Sequence, residues 1–426
     1  MRLAPLLLLL LAAAPQEAGS GVTFTKNVAP IVFANCAACH RDGEVAPFPL
    51  LQYADVKKRA KQILASVESK QMPPWKPVEG WGEFQGERRM KPGDIATLKK
   101  WVDQGCVEGD AKDLPAPPAV NDGWAFGEPD LVVKMSEPIT VPAEGQEIFR
   151  AFVMPLGLTE DRYVRAVQLR PSNKRVVHHA LLFLDITGES RRRDQLDPGP
   201  GFAAEKLTFG SVSGGSLGAY TPGGLQQPYP EGMGKLVTKT SDFVVQMHFN
   251  PIGKEVTEQS QVGFWFMKER PKQSVLLMPL ATWHLDLPAG EKDIKVEQKI
   301  VLPADVDLFG IIPHAHFLGR ECEVRVKDPE GKEILLVRIA DWNFALQEHY
   351  RYRQPIHLPK GSEFHLVWTF DNSASNPRNP WSPPRRMKWG ELSTDEMGVA
   401  FLEMGAKGLR DQFAIYVAFV GPRSQK

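Results

Sequence analysis

The chain has 426 residues, 42% of them hydrophobic and 24% charged, an ordinary globular balance with room for about two to four domains. Its 51 Lys+Arg and 51 Asp+Glu cancel, so no global field recruits an anionic membrane, and nothing in the composition points to a nucleic-acid partner. The first element is MRLAPLLLLLLAAAPQEAGSG. One Arg, an apolar run from Leu6 to Ala14 and then small residues predict a signal peptide over residues 1–19, cleaved between 14 and 20. The run falls short of the roughly 20 apolar residues that span a bilayer, and no later stretch reaches that length. The expectation is a soluble, exported protein, periplasmic or extracellular, with no transmembrane segment.

Residues 24–36, FTKNVAPIVFANC, read as a short helix leading into Cys36-Ala37-Ala38-Cys39-His40. This is the C-x-x-C-H spacing of covalent haem attachment, in which two thiols bond the macrocycle and the adjacent His ligates iron. A thioredoxin-type motif would need a preceding strand, and a zinc site would need a second Cys pair. Neither is present. The opposite iron ligand is expected from Met72 or Met90, because no His lies between His40 and His178. Met72 is favoured, following an amphipathic helix (residues 55–70) that Pro73-Pro74 stop. Residues 91–105 predict a closing helix with Ile95, Leu98, Trp101 and Val102 on one face. Together these resemble a small class I-like cytochrome c and predict an all-α cytochrome c domain over 20–112, followed by a Pro-rich linker at 113–123.

From Trp124 onward short alternating runs recur between Gly, Pro, Asn and Asp clusters. Examples are YVRAVQLR, DFVVQMHFN, QVGFWFMK, EFHLVWTFD and FAIYVAFVG. Such runs predict strands of all-β jelly rolls or sandwiches, and the length predicts two domains, 124–270 and 271–422. The Gly-rich stretch 211–234 lacks the context of a phosphate cradle and reads as a long surface loop. Cys106 and Cys322, far apart in sequence, read as unpaired buried thiols.

Three histidine features stand out in this part. VVHHALLFL holds His178 and His179 side by side, although successive strand residues point to opposite faces. VVQMHFN places Gln246 and His248 on one face, and IIPHAHFLGRE places His314 and His316 on one face. Met397 in STDEMGVAF enters a strand. His284, His349, His357 and His365 have no comparable setting and read as structural or surface residues.

Taken together, HHALLF, QMHFN, PHAHFLGRE and DEM resemble the copper type II, ascorbate-dependent monooxygenases over about residues 145–405. The haem–linker–two-sandwich order is similar to bacterial members fused to cytochrome c. The resemblance implies one copper on His178, His179 and His248, and a second on His314, His316 and Met397. It implies O2-dependent hydroxylation of a C–H bond at the second. Cofactors would be two coppers and one haem c on Cys36, Cys39, His40 and Met72. Partners would be O2, a small organic substrate and an external donor, ascorbate-like or a redox protein, with the haem as relay. Imidazole suits both copper oxidation states, and a thioether favours Cu(I). Where peptide-amidating members hold a substrate carboxylate, this chain has Ile312, Val399 and Phe401, so a carboxylate-ended peptide is not expected. Two other readings stand beside this one: a non-catalytic haem/copper electron-transfer or copper-binding protein, and a zinc hydrolase carrying a haem domain.

Overall fold

The computed structural model describes residues 21–119, 123–204, 214–224, 227–390 and 392–420. The expected signal peptide and part of the linker lie outside them. The described chain divides into two compact units, and no helix in it is long and apolar enough to cross a membrane.

One unit holds residues 21–41, 48–73 and 89–118 and is helical. A single π-helical turn, Phe24–Val28, runs into the helix Ala29–Asn35. Helices Tyr53–Lys58, Ala60–Glu68 and Pro92–Asp103 follow. Pro92 sits at the first turn of its helix, where its missing N–H costs nothing. Leu98 and Trp101 face a core of Phe24, Val32, Val56, Val67 and Met90, and the Trp101 indole donates to the Val107 carbonyl at 2.8 Å.

The other unit holds residues 42–47, 74–88 and the described residues from 123 onward, and it is built of β-sheets. This corrects the expected boundary of 20–112 for the helical domain. The segment 74–88 instead joins the β-rich unit, where Pro77 bridges Ile339, Phe84 bridges Tyr352 and the Phe84 ring stacks on Tyr352 at 5.1 Å. These aromatic contacts are non-local and leave no periodic trace in the sequence.

Two sandwich-like packings make up this unit. In the first, a five-stranded sheet (Phe202–Ala203, Ile148–Pro155, Asp242–Phe249, Val177–Asp185, Ser216–Tyr220) covers strands Leu131–Lys134, Gln261–Phe266, Arg162–Arg170 and Met233–Val237. Phe152, Leu182, Phe243, Phe249 and Phe264 fill the space between them. In the second, Ile294–Val301, Glu363–Phe370, Gly319–Lys327 and Glu333–Ile339 cover Gln273–Ala281, Gly398–Ala406, Val306–Ala315 and Tyr350–Leu358. Trp368, Phe364, Leu402, Ile311 and Tyr350 lie in that core.

Sequence reading divides the two packings at residue 270, but a strand pairing crosses that position. Met233–Val237 pairs in parallel with Gln273–Ala281, through Met233↔Gln273 and Gly234↔Ser274. One eight-stranded sheet therefore runs through both. Two further expectations are corrected. Part of the Gly-rich stretch is the strand Ser216–Tyr220, paired with Val177–Asp185. FAIYVAFV belongs to a helix, Leu409–Val420. An unbroken apolar run reads equally as strand or helix. Here Ile415 and Phe419, four apart, are the buried pair, which is one helical face.

Candidate metal centres

His178, His179 and His248 meet. Strand Val177–Asp185 pairs with Asp242–Phe249, and the register runs Val177↔Phe249, then His179↔His248. His178 is the extra residue of a β-bulge. A bulge opposes two residues to one and re-aims the inserted side chain, so the adjacent rings converge instead of diverging. The Nδ1 atoms lie 3.1 Å apart for His178–His179, and 3.2 Å apart for His178–His248 and His179–His248. All three rings present Nδ1 to one another.

This triangle is frustrated without a cation. A close N···N pair is satisfied only when an N–H faces a lone pair. Around a ring of three like nitrogens, at least one pair must oppose two lone pairs or two protons. A centre equidistant from the corners of such a triangle lies about 1.8 Å from each, near the roughly 2.0 Å of a metal–imidazole bond. Burial keeps the rings neutral, as ligands must be. It lowers His178, holds His179 well below the usual imidazole range and takes His248 down to about 3. Phe149, the cross-strand partner of His248, stacks on its ring at 4.0 Å. Glu147 Oε2 lies 3.1 Å from His248 Nε2. It is off the N–H direction, and Nε2 makes no hydrogen bond.

Upstream, the buried Glu258 carboxylate accepts from the Ser172 and Asn173 amides at 3.0 and 2.6 Å and from the Ser172 hydroxyl at 2.8 Å. These bonds fix the turn that enters the bulged strand.

The second set lies on the other packing. His314 pairs with Val399 and Ala315 with Gly398. His316 and Met397 lie one residue beyond the ends of this pairing, and their backbone amides both donate to the Glu396 carboxylate. The rings of His314 and His316 are 5.3 Å apart and nearly perpendicular, and Met397 is 6% exposed. Gln347 Oε1 accepts from His314 Nδ1; the amide orientation follows from its nitrogen, which donates to the Phe344 carbonyl at 3.0 Å. The Asp395 carbonyl accepts from His316 Nδ1 at 3.2 Å. Both rings thus carry their proton on Nδ1 and keep Nε2 as a lone pair. Burial lowers His314 to about 4 and His316 to about 3. His314 also adds to the depression of His179, so the two sets lie within electrostatic reach of each other.

Glu396, fully buried, ties this set together. It accepts from the His316 and Met397 amides, and from Leu318 at 2.7 Å. Sequence reading missed Glu396, Gln347, Phe149 and Glu147. Only the acidic pair before Met397 hinted at the first.

In the helical unit, Cys36 and Cys39 are half-buried and not joined in a disulfide, and burial, followed by Cys39, raises Cys36 to about 11. His40 donates Nδ1–H to the Phe48 carbonyl at 3.1 Å, again leaving Nε2 open. Met90 is packed in the helical core at 9% exposure, whereas Met72 is 39% exposed. Cys106 and Cys322 are unpaired and buried. Three of the remaining histidines pair with carboxylates. His357 pairs with Asp307, His365 with Glu297, and His349 with Glu403.

No family model and no curated protein matches the chain. Among solved structures it is similar to the major capsid protein P2 of bacteriophage PM2, at 8% identity over 66% of this chain and 98% of that one, with a TM-score of 0.27. It is also similar to VP2 of infectious bursal disease virus (9% identity, 70% and 77% covered, TM-score 0.20). A two-domain protein of unknown function from Bacteroides fragilis NCTC 9343 matches at 9% identity over 54% and 85%, with a TM-score of 0.15. Likeness at this level carries no argument about function.

Proposed function

We propose that the chain is an exported copper monooxygenase that hydroxylates a C–H bond of an organic substrate, with electrons passed through its own c-type haem. The observation that carries the reading is the triangle of three neutral Nδ1 atoms at 3.1–3.2 Å, in electrostatic reach of a His pair whose facing strand brings in a thioether. The overall reaction converts R–H, O2, two electrons and two protons to R–OH and water. The electrons come from an ascorbate-type reductant or a redox protein.

Bound copper would supply one-electron storage at the all-imidazole set and O2 chemistry at the set with the thioether, and a haem on Cys36 and Cys39 would supply a tethered electron relay. The chain's own residues prepare these places. The Gln347 and Asp395 carbonyl oxygens fix the His314 and His316 tautomers. Glu396 holds the backbone on both sides of that pair. The Phe48 carbonyl fixes His40 in the same way. Met72 is the haem ligand of choice, since Met90 is committed to packing. A soft thioether favours Cu(I) over zinc.

The decisive experiment is metal and haem analysis of the purified protein, expected to give two coppers and one haem c, followed by O2 uptake coupled to product. Met397→Ile should abolish hydroxylation while the three-histidine set keeps its metal. Unchanged turnover in that variant, or zinc in place of copper, would end the proposal.

A further inference from the structure

The sheet face that carries His314 is laid out in rows across three neighbouring strands. Ala281, Val399 and His314 form the first row, Pro279, Phe401 and Ile312 the second, and Leu277, Glu403 and Gly310 the third. Successive rows are about 7 Å apart. The other face of the same strands is core, with Leu280, Leu402, Met404 and Ile311 fully buried. On the His314 face the second row is different: Pro279, Phe401 and Ile312 are each only half-buried. It is an apolar floor one row from a candidate metal ligand. Trp283 and Trp389, with ring centres 4.6 Å apart and planes tilted by 43°, join Met397, Val399 and Phe401 in one apolar cluster beside it.

Charge first appears in the third row, and there it is already spent. Glu403 is buried against His349 Nε2 at 2.5 Å and Arg351 Nε at 2.9 Å. Arg351 in turn lies over the Phe309 ring at 4.7 Å. A carboxylate laid on the second row would lose its hydration and meet the apolar side chains, with the Arg351 charge beyond them engaged by Glu403.

We infer that the substrate is a neutral, apolar molecule, aromatic or alkyl, with no carboxylate next to its reacting carbon, held on the Pro279–Phe401–Ile312 row. The inference rests on the monooxygenase reading for the reaction but on the sheet register for the substrate.

The test uses the copper-loaded protein and two near-isosteric probes, 4-phenyl-2-butanone and 3-phenylpropionate, with equilibrium binding followed by calorimetry and O2 uptake followed in parallel. The ketone should bind at least tenfold more tightly than the acid. Ile312→Arg should reverse that order, and Val301→Arg, on an exposed strand position, should leave it unchanged. Because Ile312→Arg also tests the fold, Phe401→Ala provides a second variant, expected to weaken the ketone at least fivefold with little effect on the acid. Equal or tighter binding of the acid, no binding of either probe, or an effect of Val301→Arg as large as that of Ile312→Arg overturns the substrate class. O2-coupled hydroxylation of the acid overturns it while sparing the monooxygenase reading. Ketone preference with no O2-coupled product from any probe overturns that reading and leaves the row standing as a binding surface.

Discussion

His179 is the cross-strand partner of His248, and the register slips by one residue immediately before it, leaving His178 without a partner of its own. That slip turns an alternating strand into a three-nitrogen set. Replacing His178 with Ala keeps the slip but removes one corner. The variant should stay folded, with stability within about 1 kcal/mol because the side chain is only half-buried. It should lose one metal equivalent per chain and keep the other. Metal analysis beside a thermal melt decides; retention of full metal content would show that His178 is not a ligand.

Gln347 offers a different kind of check, because it is not one of the candidate ligands and its side-chain oxygen orients His314. Losing such a partner typically costs about 10- to 100-fold in metal affinity. Gln347→Leu should therefore weaken the second site by that order and leave the three-histidine site alone. Competition with a chelator, read separately for the two metals, measures it.

Glu396 is predicted to matter for stability as well as position. Glu396→Ala strands three buried amides, those of His316, Leu318 and Met397. The expected loss is about 3–5 kcal/mol, given about 1–3 kcal/mol for each buried donor left unsatisfied and partial relaxation. Urea unfolding of the metal-free protein reads this directly. A change under 1 kcal/mol would mean that the turn reorganises without the carboxylate.

The metal-free protein should also have an acid-sensitive stability. His248 and His316 sit near 3 and His314 near 4 when folded, all depressed by burial, against about 6.5 unfolded. The unfolded chain therefore binds more protons below pH 6.5. The contribution of these rings is complete above that value and falls away as the pH drops toward 3. Bound metal should delay the loss. Denaturant midpoints across pH 3–8, with and without metal, check both the sign and the window.

These outcomes bear on how much could be read before any fold was known. The strand Glu363–Phe370 announces itself by alternation, Asp242–Phe249 by its apolar and β-branched content, and the helix Pro92–Asp103 by its apolar face. The histidines were visible as residues. Their meeting was not, because a bulge is a property of two strands in register and His178 looks like any strand residue until Val177↔Phe249 and His179↔His248 are both known. The meeting of the His316 and Met397 amides on Glu396 likewise joins segments about 80 residues apart in the chain. Ser216–Tyr220 was hidden by its glycines, Leu409–Val420 by an apolar run without a period, and the departure of residues 74–88 from the helical unit by contacts that only aromatic packing reveals.

The parallel pairing of Met233–Val237 with Gln273–Ala281 has a consequence for anyone who would cut the protein in two. Severing the chain near residue 270 would turn both strands into bare edges, each with a row of unpaired N–H and C=O groups, the form in which sheets recruit other sheets. Either half made alone should aggregate, while the two halves made together should find each other and restore the join.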